Sequence, residues 1–289
     1  MANLKELRNR ITSISSTKQI TSAMKMVSAA KLKKAQDAII QMRPYSQKLE
    51  EILMNVSATL DSADGVYARK SEKLGKVLLV AISSNRGLCG AFNANVTKKM
   101  VAAAEVYENQ GASVEVFGIG KKSYEMLERR GLNMVGSDFE IFNGIQFSDV
   151  AEIAEMIMDK FANGEYDRVD IFYNQFKNAA VQHTQQEQYL PVKEIESGAN
   201  QGGGDYIYEP QKEEILEDLI PKSLKTQLFK GVLDSNASEH GARMTAMHKA
   251  TDNANELVKQ LKLSYNKARQ AAITNEILEI VGGAEALNG

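Results

Sequence analysis

Cysteine is nearly absent from this sequence, which has one, Cys89, in 289 residues. A single thiol cannot form an internal disulfide, and this composition is typical of proteins from reducing compartments. Long apolar runs are also lacking. The start of the chain, MANLKELRNRITSISS, has no apolar core of a secretory signal, and the longest apolar stretch, Val77 to Ile82, is far shorter than the ~20 residues of a membrane span. We therefore expect a soluble, cytoplasmic protein that reaches a membrane only through a partner.

The net charge of −2 hides an uneven distribution along the chain. Residues 1–50 carry ten Lys or Arg and three Asp or Glu, a balance of +7, which leaves −9 for the remaining 239 residues. Such asymmetry indicates that the N-terminal segment meets an acidic surface, although a solvated lysine-rich helix face would have the same composition. Nucleic acid is the less favoured partner, because these lysines have no interleaved aromatic residues and no recognition module is visible.

Both ends of the chain are predicted to form very long helices. The segment from Leu4 to Ser57 has no glycine and a single proline, Pro44, which predicts a bend near Gln41 rather than an end of the helix. In the C-terminal region Pro221 is expected in the first turn of the main helix, where its missing N–H matters least. Spacings of 3 and 4 then predict a coiled-coil seam. The seam positions are Met244, Met247, Thr251, Ala254, Val258, Leu261, Tyr265, Ala268 and Ala272.

The middle of the chain alternates between short apolar runs and helical patterns, which predicts βαβ units and a mostly parallel sheet. The expected strands are 77–82, 113–118 and 168–173, with an antiparallel edge strand at 181–190, and the expected helices are 93–109, 121–130 and 148–162. The fold class predicted is α/β plus a long antiparallel coiled coil, in which the N- and C-terminal helices pair and a Rossmann-like domain lies between them in sequence. The predicted domains are an N-terminal helix at 1–60, a linker at 61–75, the α/β domain at 76–196, a connector at 197–210 and a C-terminal helix at 211–289.

The C-terminal helix is predicted to be the longer one, so its tip should extend beyond the start of the chain. The seam shifts there to Ile273, Ile277, Ile280 and Val281. An isolated helix with an apolar stripe is unstable in water unless another surface covers it. We therefore expect the tip, 267–287, to be enclosed by a partner.

The sequence shows no convincing catalytic constellation. RGLCGAF, after the first predicted strand, has only G-x-x-G and lacks the Lys-Ser/Thr of a P-loop and the third glycine of a dinucleotide fingerprint, so a structural turn is expected. His183, His240 and His248 have no carboxylate placed to complete a metal shell, and Cys89 has no histidine nearby in sequence. We predict no catalytic residue, no cofactor and no metal.

Four stretches carry a resemblance to a known family. KQITSAMKMVSAAKLKKAQ (Lys18–Gln36), SSNRGLCGAFN (Ser83–Asn93), ASEHGARMTAMHKATDNANELV (Ala237–Val258) and YNKARQAAITNEILEIVGGA (Tyr265–Ala284) closely resemble the gamma subunits of F-type ATP synthases, in the bacterial form. This resemblance implies a central rotating stalk that couples proton flow through a membrane ring to ATP synthesis or hydrolysis at the beta subunits. The implied partners are the alpha, beta, delta and epsilon subunits and the c-subunit ring, and the implied location is the cytoplasmic face of the bacterial inner membrane, as a peripheral protein.

The resemblance also implies residues that contact other subunits. Near the top of the shaft they are Arg269, Gln270, Thr274 and Glu276, with Ile277 and Ile280 on the apolar stripe of the tip. Facing the acidic lever of the beta subunit they are Met24, Lys25, Arg86, Cys89 and Arg243.

Two other functions stay open at the level of sequence. A nucleotide-binding α/β enzyme with helical arms would need a second glycine-loop signature or a titratable cluster. A coiled-coil scaffold or adaptor would have no need for a protruding apolar tip.

Overall fold

The structure is a computed structural model that describes residues 4–57, 66–69, 71, 73–192 and 212–288. The chain divides into two compact units. One joins the two chain ends, Met1–Ser28 and Met244–Gly289, and the other is Ala29–Arg243. The predicted connector 197–210 and seven of the fifteen residues of the predicted linker 61–75 lie outside the described residues, and the predicted domain boundaries stay predictions.

Five helices and five strands make up the described chain. In chain order they are α1 (Leu4–Ser57), β1 (Lys76–Ile82), α2 (Phe92–Asn109), β2 (Ser113–Ile119), α3 (Lys121–Glu128), β3 (Asn133–Asp138), α4 (Phe147–Ala162), β4 (Arg168–Phe176), β5 (Gln182–Leu190) and α5 (Lys212–Asn288). Short 3-10 turns occur at Val66–Ala68 and Ile141–Asn143.

Both terminal helices are very long, as the sequence predicts. Helix α1 has 54 residues and α5 has 77, which at ~1.5 Å per residue correspond to lengths of about 80 and 115 Å. Helix α1 runs through Pro44 without ending, as expected, and the bend near Gln41 stays a prediction. The expectation for Pro221 is wrong, because α5 begins nine residues earlier and Pro221 lies inside it. The segment KEEILEDLI before the proline is rich in helix formers and carries the helix upstream.

In the unit made of the chain ends, α1 and α5 pair in antiparallel. The Thr251 hydroxyl donates to the Thr21 hydroxyl at 2.9 Å, and Arg8 donates to the Tyr265 hydroxyl at 3.4 Å. Residues further along α1 thus contact residues earlier in α5, as antiparallel helices do. The predicted seam from Met244 to Ala268 is buried or half-buried at every position, whereas Ala272 is exposed. The seam therefore ends one heptad position earlier than predicted.

This register confirms the overhang of α5. The start of α1, Leu4, lies opposite the neighbourhood of Arg269, and every residue from 269 to 284 is exposed. The stripe Ile273, Ile277, Ile280 and Val281 is therefore open to solvent in this chain.

The α/β unit is built on a five-stranded sheet in the order β3-β2-β1-β4-β5. Four strands are parallel, and β5 pairs with β4 in antiparallel at the edge, as predicted. Strand β3 is absent from the strands predicted from the sequence. Its six residues, NMVGSD, include a glycine and alternate between exposed and half-buried, so it lacks the apolar run that marked the other strands.

The sheet is covered on both faces. Val77, Leu79 and Ala81 of β1 pack with α2 on one face, and the alternate residues of β1 pack with α4 and α5 on the other. Helix α5 contributes Leu224, Leu228 and Val232 to this second core. The same helix that ends in the antiparallel pair is thus also part of the α/β core.

Candidate functional site: a glycine loop clamped by the C-terminal helix

The carboxyl ends of β1 and β4 form the place where an open α/β sheet usually binds a ligand. Strands β2 and β3 lie on one side of β1 in the sheet, and β4 lies on the other side. The chain therefore changes direction across the sheet between β1 and β4, which makes their carboxyl ends a topological switch point. The loop that follows β1, residues 83–91, contains the glycine turn singled out in the sequence. This crevice is therefore the first candidate for a functional site.

Helix α5 fills the crevice. The Ser235 hydroxyl donates to the carbonyl of Ile82 at 3.4 Å, and the Ser238 hydroxyl donates to the carbonyl of Asn174 at 2.8 Å. A Cβ atom at Gly241 would lie 3.2 Å from Ala179 Cα. The space that a nucleotide would occupy in a binding protein of this class is therefore taken by the chain's own helix.

The glycine loop is held by an internal hydrogen-bond network. The Ser84 hydroxyl donates to the carbonyl of Arg86 at 2.8 Å, and the Ser84 N–H donates to the Asn93 side chain at 3.1 Å. The Asn93 amide also donates to the Cys89 sulfur at 3.3 Å. Burial raises the pKa of the Cys89 thiol, so the sulfur is a packed neutral group and not an activated nucleophile.

Two residues of the loop have left-handed backbone conformations. Gly90 has φ +61° and Leu88 has φ +62°, while Gly87 lies outside this region. The turn expected from the sequence thus has its left-handed residues at Leu88 and Gly90, and not at Gly87.

Arg243 of α5 clamps this loop. Its guanidinium donates to the carbonyl of Arg86 at 2.9 Å and to the carbonyl of Gly87 at 3.3 Å. It also pairs with the Glu239 carboxylate at 2.6 Å, and both side chains are about nine-tenths buried. Burial, together with the positive charges of Arg243 and Lys31, lowers the pKa of His240 to about 4, so His240 is neutral at physiological pH.

A second glycine–lysine segment, GIGKKS (Gly118–Ser123), joins β2 to α3 beside this loop, and the sequence analysis did not single it out. The backbone N–H groups that open α3 are already occupied. Lys121 donates to the Asn85 side chain at 3.1 Å, Lys122 to the Ser84 carbonyl at 3.0 Å and Ser123 to the Ser83 hydroxyl at 3.1 Å. This helix start therefore offers no free amides for a phosphate.

The structure brings three of the predicted contact residues together: Arg86, Cys89 and Arg243. Arg86 is exposed, but Cys89 is 1% and Arg243 8% exposed, with their polar atoms turned into the chain. Their contacts with another subunit stay predictions. The structure adds Leu88, which the sequence analysis passed over because a leucine between two glycines looks like an ordinary turn residue, and which is 66% exposed.

The other predicted contacts lie in the helix-pair unit. Met24 and Lys25 are half-buried along the seam of α1. The remaining six are all exposed on the overhang of α5: Arg269, Gln270, Thr274, Glu276, Ile277 and Ile280.

The part of the chain that the structure describes contains neither a metal-binding cluster nor a membrane-spanning helix. Within residues 4–57, 66–69, 71, 73–192 and 212–288, no three His, Cys, Asp or Glu side chains are grouped so that they could hold a metal ion. In the same part of the chain, none of the helices has the length and apolar character needed to cross a bilayer.

Comparison with known proteins gives one consistent result. The family model described as ATP synthase matches residues 3–287. The ATP synthase gamma chains of Flavobacterium psychrophilum and Flavobacterium johnsoniae are 64% and 63% identical to this chain over 289 residues, covering all of it and all of each relative.

Solved structures share the fold. A chain of the central stalk and c-ring structure of the Tetrahymena thermophila mitochondrial ATP synthase matches with a TM-score of 0.58 and 25% identity, over 80% of this chain and 99% of that one. A chain of the Euglena gracilis mitochondrial ATP synthase rotor matches with a TM-score of 0.67 and 23% identity, over 93% of this chain and 98% of that one.

Proposed function

The chain belongs to the ATP synthase gamma chain family and serves as the central stalk of an ATP synthase, and from this premise we propose that it is a rotor without chemistry of its own. In this role it transmits rotation between a proton-driven c-subunit ring and the nucleotide-binding alpha and beta subunits. Delta and epsilon subunits complete the complex, which holds the chain at the cytoplasmic face of the bacterial inner membrane as a peripheral protein.

The observation that carries this proposal is the filled crevice. An α/β unit that bound a nucleotide would leave space and free amides at the carboxyl ends of its strands. Here Ser235 and Ser238 of α5 bond to the ends of β1 and β4, and Arg243 takes the carbonyls of the glycine loop. This arrangement supports a mechanical role better than the alternative of a nucleotide-binding enzyme.

The overhang of α5 supports enclosure by a partner. Its apolar stripe is uncovered in this chain, and exposed contiguous apolar surface on a soluble protein marks an interaction site. A sleeve formed by alpha and beta subunits would cover Ile277 and Ile280, with Arg269, Gln270, Thr274 and Glu276 in polar contacts around them. The scaffold alternative leaves this stripe unexplained.

The proposal is tested on inverted membrane vesicles that carry the whole complex. ATP-driven acidification should depend on this chain, persist in sodium-free buffer and disappear with a proton ionophore. In equilibrium dialysis, the isolated chain should show no saturable binding of Mg-ATP. One-to-one binding of ATP to the isolated chain, lost in Gly90→Val, would favour the enzyme, and pumping that requires sodium would contradict the proton ring.

A further inference from the structure

Edge strand β5 carries a one-residue bulge. Its pairing with β4 passes from Gln188 opposite Asp170 to Leu190 opposite Val169, which leaves Tyr189 as an extra residue. An extra residue turns the chain beyond it to the opposite face of the sheet. As a result Tyr189 and Leu190, which are consecutive, are both buried in the core on the α4 and α5 face.

The register without a bulge would place Leu190 on the other face. If the ladder continued unbroken from the pair of Gln188 with Asp170, Leu190 would lie opposite Arg168. Because side chains alternate along a strand, Arg168 and Asp170 share the α2 face of the sheet, and Leu190 would join them there. The hydrophobic effect has no direction, so the burial of a leucine does not by itself choose between the two faces.

A buried polar cluster occupies the place that Leu190 would take on the α2 face. The Asp170 carboxylate is fully buried and accepts hydrogen bonds from the Tyr107 hydroxyl at 2.6 Å and from Arg168 Nε at 2.9 Å. The Gln186 amide of β5 donates to the same carboxylate at 2.9 Å, and the Arg168 guanidinium lies 5.5 Å from the centre of the Tyr107 ring. An apolar side chain on this face would displace Arg168 and leave a buried charge without its partner, which is strongly unfavourable.

The opposite edge of the sheet repeats this construction on the other face. The pairing of β3 with β2 skips Val135, two residues after the pair of Asn133 with Glu115. The Glu115 carboxylate accepts a hydrogen bond from the Tyr166 hydroxyl at 2.7 Å and pairs with Lys76 at 2.8 Å. Lys76 lies 5.3 Å from the centre of the Tyr166 ring, and the Asn133 amide donates to the carboxylate at 3.5 Å.

The two clusters have the same parts and share no residue. Each combines a buried carboxylate on the second strand from the edge, a tyrosine hydroxyl, a cation over the tyrosine ring and an amide side chain from the edge strand. They lie at opposite edges and on opposite faces, and each has a bulge beside it. The bulge is therefore the feature that their common function has to explain.

We propose that the two buried carboxylates, Asp170 and Glu115, are register determinants for the edge strands. Each makes the bulged pairing of its edge strand the arrangement in which the buried charge keeps its partners. Their contribution is to the uniqueness of the sheet and not to its stability, because apolar replacement of a buried ion pair is often neutral or stabilising. The proposal goes beyond the rotor function, and its test needs only the isolated full-length chain.

Strand β5 gives the sharper test, because a second constraint acts at β3. A Cβ atom at Gly136 would lie 2.8 Å from the Phe117 ring, and in an unbroken ladder Val135 would take the position opposite Phe117. The Phe117 ring alone therefore disfavours the unbulged register at that edge. Among the contacts described for β5, the Asp170 cluster has no such steric counterpart.

Two variants at β5 separate uniqueness from stability. Asp170→Asn removes the charge and leaves Arg168 partly buried without its ion-pair partner. The apolar triple variant, Tyr107→Phe with Arg168→Leu and Asp170→Leu, replaces the cluster by hydrophobic side chains. Urea unfolding measures the stability of each full-length variant. Methyl NMR of leucine- and valine-labelled chains locates Leu190, whose signals are assigned by their loss in matching Leu190→Ile variants.

We expect stability and uniqueness to change in opposite ways. Asp170→Asn should unfold at a lower urea concentration than the parent, yet keep a single set of Leu190 methyl signals, because Arg168 still occupies the α2 face. The apolar triple variant should unfold at the parent midpoint or above it. It should nevertheless show a second set of Leu190 signals, with about a tenth of the total intensity and with contacts to the core on the α2 face.

The control is the corresponding triple variant at the other edge, Lys76→Leu with Glu115→Leu and Tyr166→Phe. It should leave Leu190 with one set of signals, and a second set here would overturn the proposal by showing that any apolar replacement loosens the sheet. A single set in the apolar triple variant at β5 would also overturn it, because the register would then be set without the cluster. So would an apolar triple variant that is less stable than Asp170→Asn or does not fold, since the cluster would then be a stabilising element.

Discussion

Gly120, at the start of α3, shows how closely the loops at the end of the sheet approach each other. It has φ +100°, and a Cβ atom there would lie 2.2 Å from the Ser83 carbonyl oxygen. We expect Gly120→Ala to lower the free energy of unfolding by about 3 kcal/mol or more, because backbone strain and a backbone clash add. Urea unfolding of the isolated chain measures this loss.

Gly111 provides the matched control for this substitution. It also has a positive φ, +86°, but nothing lies within 4 Å of the position of its Cβ. Gly111→Ala should therefore show the strain alone, about 1 kcal/mol. Equal losses for the two variants would mean that the loop at Ser83 moves away without resistance.

Asp234, on α5 within the α/β unit, makes stability depend on pH. Burial raises the pKa of Asp234 to about 6, and the negative charge of Glu187 also raises it. The positive charges of Lys230 and Arg43 and a hydrogen bond with the Phe176 backbone act in the opposite direction and lower the pKa. Because the folded state prefers the neutral acid, this contribution to stability is complete below the unfolded pKa near 4 and is lost as the pH rises through about 6. Asp234→Asn should thus raise the free energy of unfolding by about 2 kcal/mol at pH 8 and by little at pH 4.5.

The control for Asp234 is an exposed acid on the same helix. Asp218 is 81% exposed at its side chain and pairs with Lys222 one turn away. Urea unfolding of Asp218→Asn should differ from the parent by the same small amount at both pH values. A pH-independent effect of Asp234→Asn would show that the carboxylate stays ionised in the folded chain.

At the residue scale, the sequence singles out residues but does not predict where their side chains point. Arg243 and Cys89 come from a specific motif, yet a motif carries no information on whether a side chain faces a partner or its own chain. The clamp depends on residues 157 positions apart, Arg86 and Arg243, and no local pattern reveals such a pair. Leu88 escaped notice because a backbone angle is not encoded in residue type.

The overhang of α5 yields a prediction at the scale of the element. Ile280 is 66% exposed in this chain, so Ile280→Asp should leave the isolated chain folded, with an unchanged melting temperature. If a sleeve encloses the tip, the carboxylate becomes desolvated without a partner, and assembly with alpha and beta subunits should weaken by several kcal/mol, on the order of 2–5. Size-exclusion chromatography of the assembled complex, with the yield per chain, measures the effect.

Ile280→Leu is the matched control, because it keeps the apolar surface and changes only the branching. It should assemble like the parent chain. Equal assembly yields for Ile280→Asp and Ile280→Leu would contradict an enclosed tip.

The elements were predictable in proportion to the strength of their patterns. The seam of α5 was predicted because apolar and small residues recur at spacings of three and four residues over several heptads. No other face of the helix in that region carries a pattern that would favour a different packing. Strand β3 was missed because it is a short edge strand with a glycine and polar residues, for which pairing with β2 supplies the order that its sequence lacks. Pro221 was misplaced because a proline signals a helix start only when no helix-forming segment precedes it.

The charge distribution gives a prediction for the molecule as a whole. Lys31 and Lys33 are exposed on α1 and Lys25 is half-buried on the same helix. If this basic end meets an acidic partner, replacing all three by Glu should slow assembly with alpha and beta subunits much more at 20 mM than at 500 mM salt. The reason is that the Debye length is longer than ~10 Å at the lower salt concentration and shorter at the higher one. Stopped-flow measurement of assembly rates at both salt concentrations checks this.

A second triple variant separates position from net charge. Lys73, Lys98 and Lys177 are exposed on the α/β unit, and their replacement by Glu changes the net charge by the same amount. This control should slow assembly only slightly. Equal slowing by the two variants would mean that overall charge, and not the basic N-terminal helix, sets the rate.

The antiparallel pairing also fixes an order of events during synthesis. The seam contacts join residues 230 and 257 positions apart, Thr21 with Thr251 and Arg8 with Tyr265. At a translation rate of ~5–20 residues per second, the first helix leaves the ribosome about 10–50 s before its partner exists. The seam of this helix has apolar residues near the start of the chain, Leu7, Ile11 and Ile14, and polar residues further on, Lys18, Thr21 and Ser28. During that interval the apolar part of the seam is uncovered, and exposed apolar surface on a nascent chain favours aggregation.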